Sequence, residues 1–484
     1  MESHGFSYCS TNTNRVSSYP NFVERRSRVL SSLFNPIDIL NEIIEEVCKN
    51  PKEFAVNPDK DFTRGRKLPM KRLVKLILEM QGGTLKSEIR NSFPILEKRM
   101  SASAFVQQRK KLKAQIFHKI LLILKQYLDN EKTFKGLKVF AIDGTDCYFP
   151  VNPKSECFIK RTQKRKDGSD KKDYCLLHAN ILYDLINKLY VDCITGPKNG
   201  SGGNERNAAI RLINQYATDK SLFIMDRGYI GYNMIEHGNR CGGYYMIRSL
   251  TGNGSIPEIR DLPNKPTDKW LTIKIATKNR KIYMDNGYRL YQIIQKHYKD
   301  VSELHKDTIA AANKQWDFEE ACEVRFRIVK FRINDTGKDQ WEVIVTNLPS
   351  NKFPMEDIKK LYAMRWGIET AFRSLKYAVG AIQFHSKQDE FVKQELFAHL
   401  VMYNITSACA ACADVSKTNA KHEYKVNFKE AVGVVRKFFR ERIDSFELLR
   451  KEIAQDPEPV RPGRKDKRKL RQRAPVYFIY RVPA

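Results

Sequence analysis

No stretch of this 484-residue chain stays apolar for the roughly 20 residues that a bilayer span needs, so no membrane role is expected. The opening segment, Met1 to Pro20, is polar and serine-rich and carries no apolar signal core. Cysteine is sparse at ten residues, and none falls into the paired-knuckle spacing of a zinc module. Cys409 and Cys412 are three apart, but they sit inside the apolar segment 396–413, which reads as a buried helix; small core thiols are expected there rather than a metal or redox pair. Free thiols without a secretion signal point to a reducing cytoplasm. What the chain lacks most is acid: 56 Asp and Glu stand against 86 Lys and Arg, a formal net charge of +30. A field of that sign attracts polyanions, nucleic acid first among them; an excess of solvated lysine is the bland alternative.

A hydrophobic content of 42% suffices for globular folding, and the length implies more than one domain. Residues 1–130 read as helical. Ile37–Cys48 has apolar residues at helical spacing behind Asn35-Pro36, a cap followed by a proline at the first helical position. Lys71–Met80 is a second amphipathic stretch, and Ser101–Leu128 reads as one long helix whose first half carries Arg109, Lys110, Lys111 and Lys113. Short helices with basic flanks suit a helix-turn-helix-like DNA reader, and equally a bundle with a solvated basic face.

From Lys138 the pattern becomes strand, hairpin, helix, strand, helix, strand, which describes an α/β layer over 131–250. Val139–Ile142 is a short apolar run ending at Asp143, and Ser221–Met225 is another ending at Asp226. Both acids are therefore expected at carboxyl ends of strands, where open α/β sheets place their sites. Residues 251–349 hold strand-like runs (Trp270–Ala276, Lys281–Met284, Gly287–Ile294, Cys322–Ile333 and Trp341–Thr346) and read as a mostly β insertion. Helix returns over 350–415, and 416–484 reads as a further helical region ending in a basic tail.

The sharpest chemical signal is the helix from Met355 to Lys376. Tyr362, Arg365, Glu369 and Lys376 are spaced Y-x2-R-x3-E-x6-K, which puts all of them on one helical face. A carboxylate flanked by cations and a phenol suits a metal-bound phosphate; alone, an exposed Arg–Glu pair explains it as well. Together with Asp143 and Asp226 it supplies three hard carboxylates, a set that selects Mg²⁺ or Mn²⁺ and supports in-line attack on a phosphodiester by two ions. Asp146 competes with Asp143 for the first position.

These motifs resemble the DDE transposases of bacterial insertion sequences, in the group with the YREK signature (insertion-sequence family four). The resemblance rests on Val139–Thr145, on Asp226-Arg227-Gly228-Tyr229 and on Leu361–Glu369, and spans about the central half of the chain. It implies an RNase H-like catalytic core interrupted by a mostly β insertion and flanked by helical regions. It favours Asp143 over Asp146 and makes Asp143, Asp226 and Glu369 the metal ligands, with two Mg²⁺ per site for which Mn²⁺ substitutes. It also implies phosphate contacts from Tyr362, Arg365 and Lys376. Related enzymes excise through a DNA hairpin with a flipped base stacked on a tryptophan of the insertion, a place Trp341 occupies here; a packed strand tryptophan is the alternative.

Further DNA contacts are expected from Arg248, from Lys164, Arg165 and Lys166 in a basic loop, and from Arg464, Lys465 and Arg468 in the tail. Arg206, beside Glu205, is a candidate contact on even terms with a structural role. The whole reading is a nucleoid-associated transposase that pairs two terminal inverted repeats as a homodimer, cleaves double-stranded DNA and joins the ends to target DNA. The apolar helix 396–413 and the amphipathic segment 428–454 are the candidate dimer contacts. A nuclease on the same core, and a DNA-binding protein that has lost catalysis, are the competing readings.

Overall fold

The computed structural model describes residues 35–64, 68–162, 172–198, 203–251, 255–291, 315–333, 341–415, 423–441, 443 and 445–460. Lys164, Arg165, Lys166, Arg464, Lys465 and Arg468 lie outside them. The described chain divides into two compact units.

One unit is helical and joins the N-terminal region, through Asn130, to the chain from Leu400 onward. Asn35 caps Pro36–Cys48 by accepting from the Ile37 amide at 3.1 Å, as its sequence suggests. The segment expected as one long helix is two, Ala102–Arg109 and Gln115–Leu128. The break has a tertiary cause: Lys113 donates its amide to Phe54 O at 2.9 Å, Val56 donates to Lys111 O at 2.9 Å, and Ala55 bridges Leu112. Residues 111–113 thus spend their backbone groups on a neighbouring strand-like segment instead of a helical turn. Arg109 is 1% exposed and belongs to the interior, so it is not part of a basic face.

The other unit is built on one mixed ten-stranded sheet. Its first half comprises β1 (Lys138–Phe149), β2 (Tyr174–Asp184), β3 (Leu189–Pro197), α1 (Glu205–Tyr216), β4 (Ser221–Met225), α2 (Tyr232–Arg240) and β5 (Tyr244–Ser249). β1, β2 and β3 form an antiparallel meander, while β4 pairs parallel to β1 and β5 parallel to β4. This is the RNase H-like arrangement that the sequence resemblance implies. The β2–β3 turn falls where Asn187 marks it: Asp184 Oδ1 accepts from the amides of Ile186 and Asn187 at 3.0 and 2.8 Å.

The strands of the insertion do not form a sheet of their own. β6 (Thr267–Ala276), β7 (Ala321–Arg332) and β8 (Trp341–Thr346) continue the central sheet in the order β5-β8-β7-β6, all antiparallel. The run Lys281–Met284, expected as a strand, lies in the short helix Lys281–Asp285, with Ile282 exposed. A run that short carries no decisive period, and no strand among the described residues pairs with it. Gly287–Ile294, also expected as a strand, pairs only over Arg289–Leu290 within its described part.

After β8 come α3 (Met355–Met364) and α4 (Trp366–Ser374), which continue through Arg365 and end in a π-helical turn, Leu375–Val379. Ile358, Leu361 and Tyr362 of α3 pack with Val139, Ile224, Met246, Val329 and Ile344 of the sheet. A buried arginine fixes where this helix begins. Arg327 on β7 is 0% exposed; it pairs with both oxygens of Asp268 on β6 at 2.7 and 2.6 Å and donates to the carbonyls of Leu348 and Phe353 at 3.1 and 2.8 Å. Phe353 lies two residues before α3, so the insertion strands hold the entry of the Glu369 helix.

Arg327→Met should lower stability by about 2–4 kcal/mol, because it leaves two buried carbonyls without their donor and takes from the part-exposed Asp268 its bidentate partner. Arg332→Met, on the outer end of the same strand, should cost under about 0.5 kcal/mol. Urea unfolding of both variants measures the difference.

Candidate active site

The register of the sheet places the two aspartates. β1 and β4 pair in parallel up to Ile142 and Met225, so Asp143 and Asp226 are the next residue on each strand. Asp143 does not end its strand as expected: β1 runs on to Phe149 because β2 still pairs with it there. Only the β4 side stops, and that leaves Asp143 on an open edge. Asp226 turns its carboxylate back to cap a single turn, Oδ1 accepting from the Gly228 amide at 2.7 Å. Asp143 Oδ1 accepts from the Gly144 amide at 2.8 Å. Burial, with Asp226's charge next in weight, pushes Asp143 up to about 7 against the pull of Gly144 and Arg365.

Glu369 comes to this edge from α4. Arg365 Nη2 donates to Glu369 Oε1 at 2.8 Å, and its Nη1 stands 4.0 Å from Asp143 Oδ2. The guanidinium therefore lies between the first and third carboxylates. As placed, no three His, Cys, Asp or Glu side chains among the described residues enclose a metal position. The donor chemistry of Asp143 and Asp226 fits a divalent cation, while Glu369 Oε1 is engaged by Arg365.

The companions divide. Arg365 is 7% exposed, with its guanidinium over the rings of Tyr362 and Trp366 at 5.8 and 5.5 Å. Tyr362, expected at a phosphate, is 3% exposed and packs in the core beneath the edge, and burial pushes its phenol up to about 12. Lys376 is half-buried in the π-turn, and its charge reaches the Cys147 thiol on β1. Arg248 follows Ile247, which pairs with Met225, so it stands one strand over from Asp226 on the same edge. Its Nε pairs with Glu342 Oε1 at 3.0 Å. Trp341 opens β8 at that edge too, its ring faced by Lys330 at 5.1 Å and Arg332 at 5.4 Å. Its indole Nε1 is buried without a hydrogen-bond partner among the described residues.

Asp146 is otherwise engaged. Directly across from it on β2, His178 Nδ1 lies 2.7 Å from Asp146 Oδ1, and Lys198 Nζ donates to Oδ2 at 2.9 Å. Burial alone would raise Asp146, yet these two partners outweigh it and hold the carboxyl down at about 2. With both oxygens taken, Asp146 is a poorer ligand than Asp143.

Sequence reasoning missed two residues here. His178, 2% exposed, has Nε2 3.2 Å from Glu205 Oε1, within ion-pair range but off-line for a hydrogen bond. Burial would lower it, but Asp146 and Glu205 together raise it to about 9. A histidine and an asparagine inside the apolar run of β2 were the available signal. Glu205, the first residue of α1, reads in sequence as an ordinary acid at a helix start. Its neighbour Arg206 donates to the Gly228 and Ile230 carbonyls at 3.0 and 3.1 Å, so the structure gives it the job of fastening the loop after Asp226.

The thiols take no part. The nine described cysteines are all unpaired with one another, and burial pushes Cys409 well up and raises Cys412. No helix among the described residues is long and apolar enough to cross a membrane.

A histidine raised in the folded state from 6.5 to about 9 stabilises the fold fully below 6.5, and that contribution is lost as pH climbs through about 9. The thermal midpoint of wild type should therefore exceed that of His178→Gln at pH 6, and the gap should narrow steadily between pH 6.5 and 9. A gap that is constant with pH would mean that His178 is neutral in the fold.

Residues 135–405 match the family model described as a transposase DDE domain. The chain is 21% identical over 312 residues, 63% of its length, to the transposase InsG for insertion sequence element IS4 of Escherichia coli (strain K12), and the match spans 60% of that relative. Among solved structures, the cryo-EM structure of the piggyBac transposase synaptic complex with hairpin DNA aligns with a TM-score of 0.43 and 10% identity, covering 90% of this chain and 87% of that one. The family match takes in more than half of the chain and includes Asp143, Asp226 and Glu369; the chain belongs to the transposase DDE-domain family.

Proposed function

We propose that this protein is a DNA transposase whose Asp143, Asp226 and Glu369 hold divalent metal for strand cleavage and strand transfer. The observation that carries the reading is the juxtaposition of Asp143 and Asp226 at the end of the β1–β4 pairing, with Glu369 brought to the same edge on α4. A divalent cation there supplies Lewis acidity and an activated water, and two Mg²⁺, or Mn²⁺ in their place, would serve attacking and leaving oxygens in turn. The protein's own part is positional. The parallel register sets the aspartates side by side, Arg206 holds the loop after Asp226, and Arg327 holds the entry to the Glu369 helix.

Arg365 has a place in the same reading. Its guanidinium now shares itself between Glu369 and Asp143, and a DNA phosphate is the stronger, bidentate partner for it. On DNA arrival it would turn to the phosphate and free Glu369 for metal. Lys376 and Arg248 line the edge for further phosphate contact, while Tyr362 supports Arg365 from below. The substrate in this reading is double-stranded DNA, a pair of terminal inverted repeats held by a homodimer, and then target DNA. The net charge of +30 makes binding steeply salt-dependent. Within the candidate contact 396–413, Leu396 to Ile405 are buried within the chain, so that part of the helix is not offered to a partner. Hairpin excision belongs to the proposal through Trp341, which opens β8 toward the same end of the sheet and whose ring would stack on a flipped base.

With Mg²⁺ and a duplex carrying the element's own terminal repeat, wild type should cleave and join. Glu369→Ala should bind that duplex with similar affinity but cleave at least about a thousandfold more slowly, a loss of about 4 kcal/mol of transition-state stabilisation. Equal cleavage by both proteins would refute the assignment. Cleavage by wild type without joining would favour the nuclease.

A further inference from the structure

We propose that Glu205 is a fourth carboxylate of the catalytic edge and a ligand of the divalent cation held there. The inference rests on the reading above that Asp143 and Asp226 bind metal. Three placements converge on it. First, Glu205 Oε1 stands 2.8 Å from where a side-chain carbon on residue 144 would lie, against the backbone that carries Asp143. Only glycine fits there, with His178 Nε2 at 2.6 Å from the same point. Second, the next residue, Arg206, is hydrogen-bonded to the carbonyls of Gly228 and Ile230, so the start of α1 and the loop after Asp226 are one piece. Glu205 is thereby held beside Gly144, the residue after Asp143, and next to the residue that fastens the loop after Asp226. Third, the Tyr229 hydroxyl is buried at 1% exposure and has no hydrogen-bond partner among the described residues. Of the charges acting on that phenol, Glu205 is the largest, followed by Asp143 and Asp226. A buried hydroxyl that feels three carboxylate charges and lacks a partner among the described residues would be satisfied by the water shell of an ion held by them.

The Glu205 side chain is suited to the task. Its carboxylate is 46% exposed and, among the described residues, is met by the off-line His178 Nε2 at 3.2 Å, so it can turn to a cation arriving from solvent. Its backbone is fixed, because Asn204 caps the helix by accepting from the Asn207 amide at 3.2 Å. A fourth carboxylate raises the charge count of the site, which for hard oxygen sites sets the affinity. The ordinary alternative, an acid that merely favours the positive end of α1, would affect stability alone.

Mn²⁺ binding to the full-length protein, followed by the electron paramagnetic resonance signal of the free ion, decides between them. Glu205→Gln should weaken Mn²⁺ binding at least about tenfold, Glu205→Asp should fall between it and wild type, and the thermal midpoint of both should fall by no more than that of His178→Gln, whose ion pair Glu205 shares. Wild-type affinity in Glu205→Gln, with Asp226→Asn weakened, would overturn the proposal and leave the three-carboxylate reading standing. Equal affinity in Asp226→Asn and wild type, or no binding by wild type, would overturn both. Should Glu205→Gln fail to fold, Glu205→Asp carries the same comparison.

Discussion

The parallel pairing of β1 with β4 is the constraint on which the rest of the catalytic unit depends. Two largely hydrophobic strand segments, Lys138–Ile142 and Ser221–Met225, lock in register through five residue pairs and then part. The first residue beyond the pairing on each is an aspartate. Because the side chains before them are buried in both core layers of the sheet, neither strand can slip without exposing its whole apolar set. The placement of the two carboxylates is therefore set by the hydrophobic effect acting on their neighbours, and Asp143 is raised by its burial first and by the charge of Asp226 second.

Everything around the edge manages that repulsion or exploits it. Asp146 is neutralised by His178 and Lys198, and Asp226 is steadied by the Gly228 amide. Arg365 spans the gap between Asp143 and Glu369. The insertion strands contribute from a distance: continuous with the core sheet, they carry Arg327, whose carbonyl contacts set the start of the helix that delivers Glu369. An insertion that reads as an appendage is thus part of the scaffold of the site.

How much of this was legible in the sequence depended on what kind of physics each residue obeys. Asp143, Asp226 and the Glu369 helix were visible because short apolar runs and helical spacing are local signals. The extension of β1 to Phe149 was not, since it depends on β2 as a partner and not on alternation within β1. The joining of β8 to β5 was hidden for the same reason, as was the break at residues 111–113, where a tertiary bridge overrides helix periodicity. Tyr362 shows the limit of spacing arguments: it shares a face with Arg365 and Glu369, yet one turn earlier that face already points into the core. Glu205 and His178 carried no motif at all. Their meaning comes from Gly144, which lets both approach the strand that bears Asp143.

Anomalous diffraction from a crystal of the protein loaded with Mn²⁺ tests the central claim most directly. The account predicts a Mn²⁺ peak bridging the Asp143 and Asp226 carboxylates at the end of the β1–β4 pairing. A peak on Asp146 and His178 instead, or an aspartate pair that stays empty while Mn²⁺ occupies another site, would contradict it.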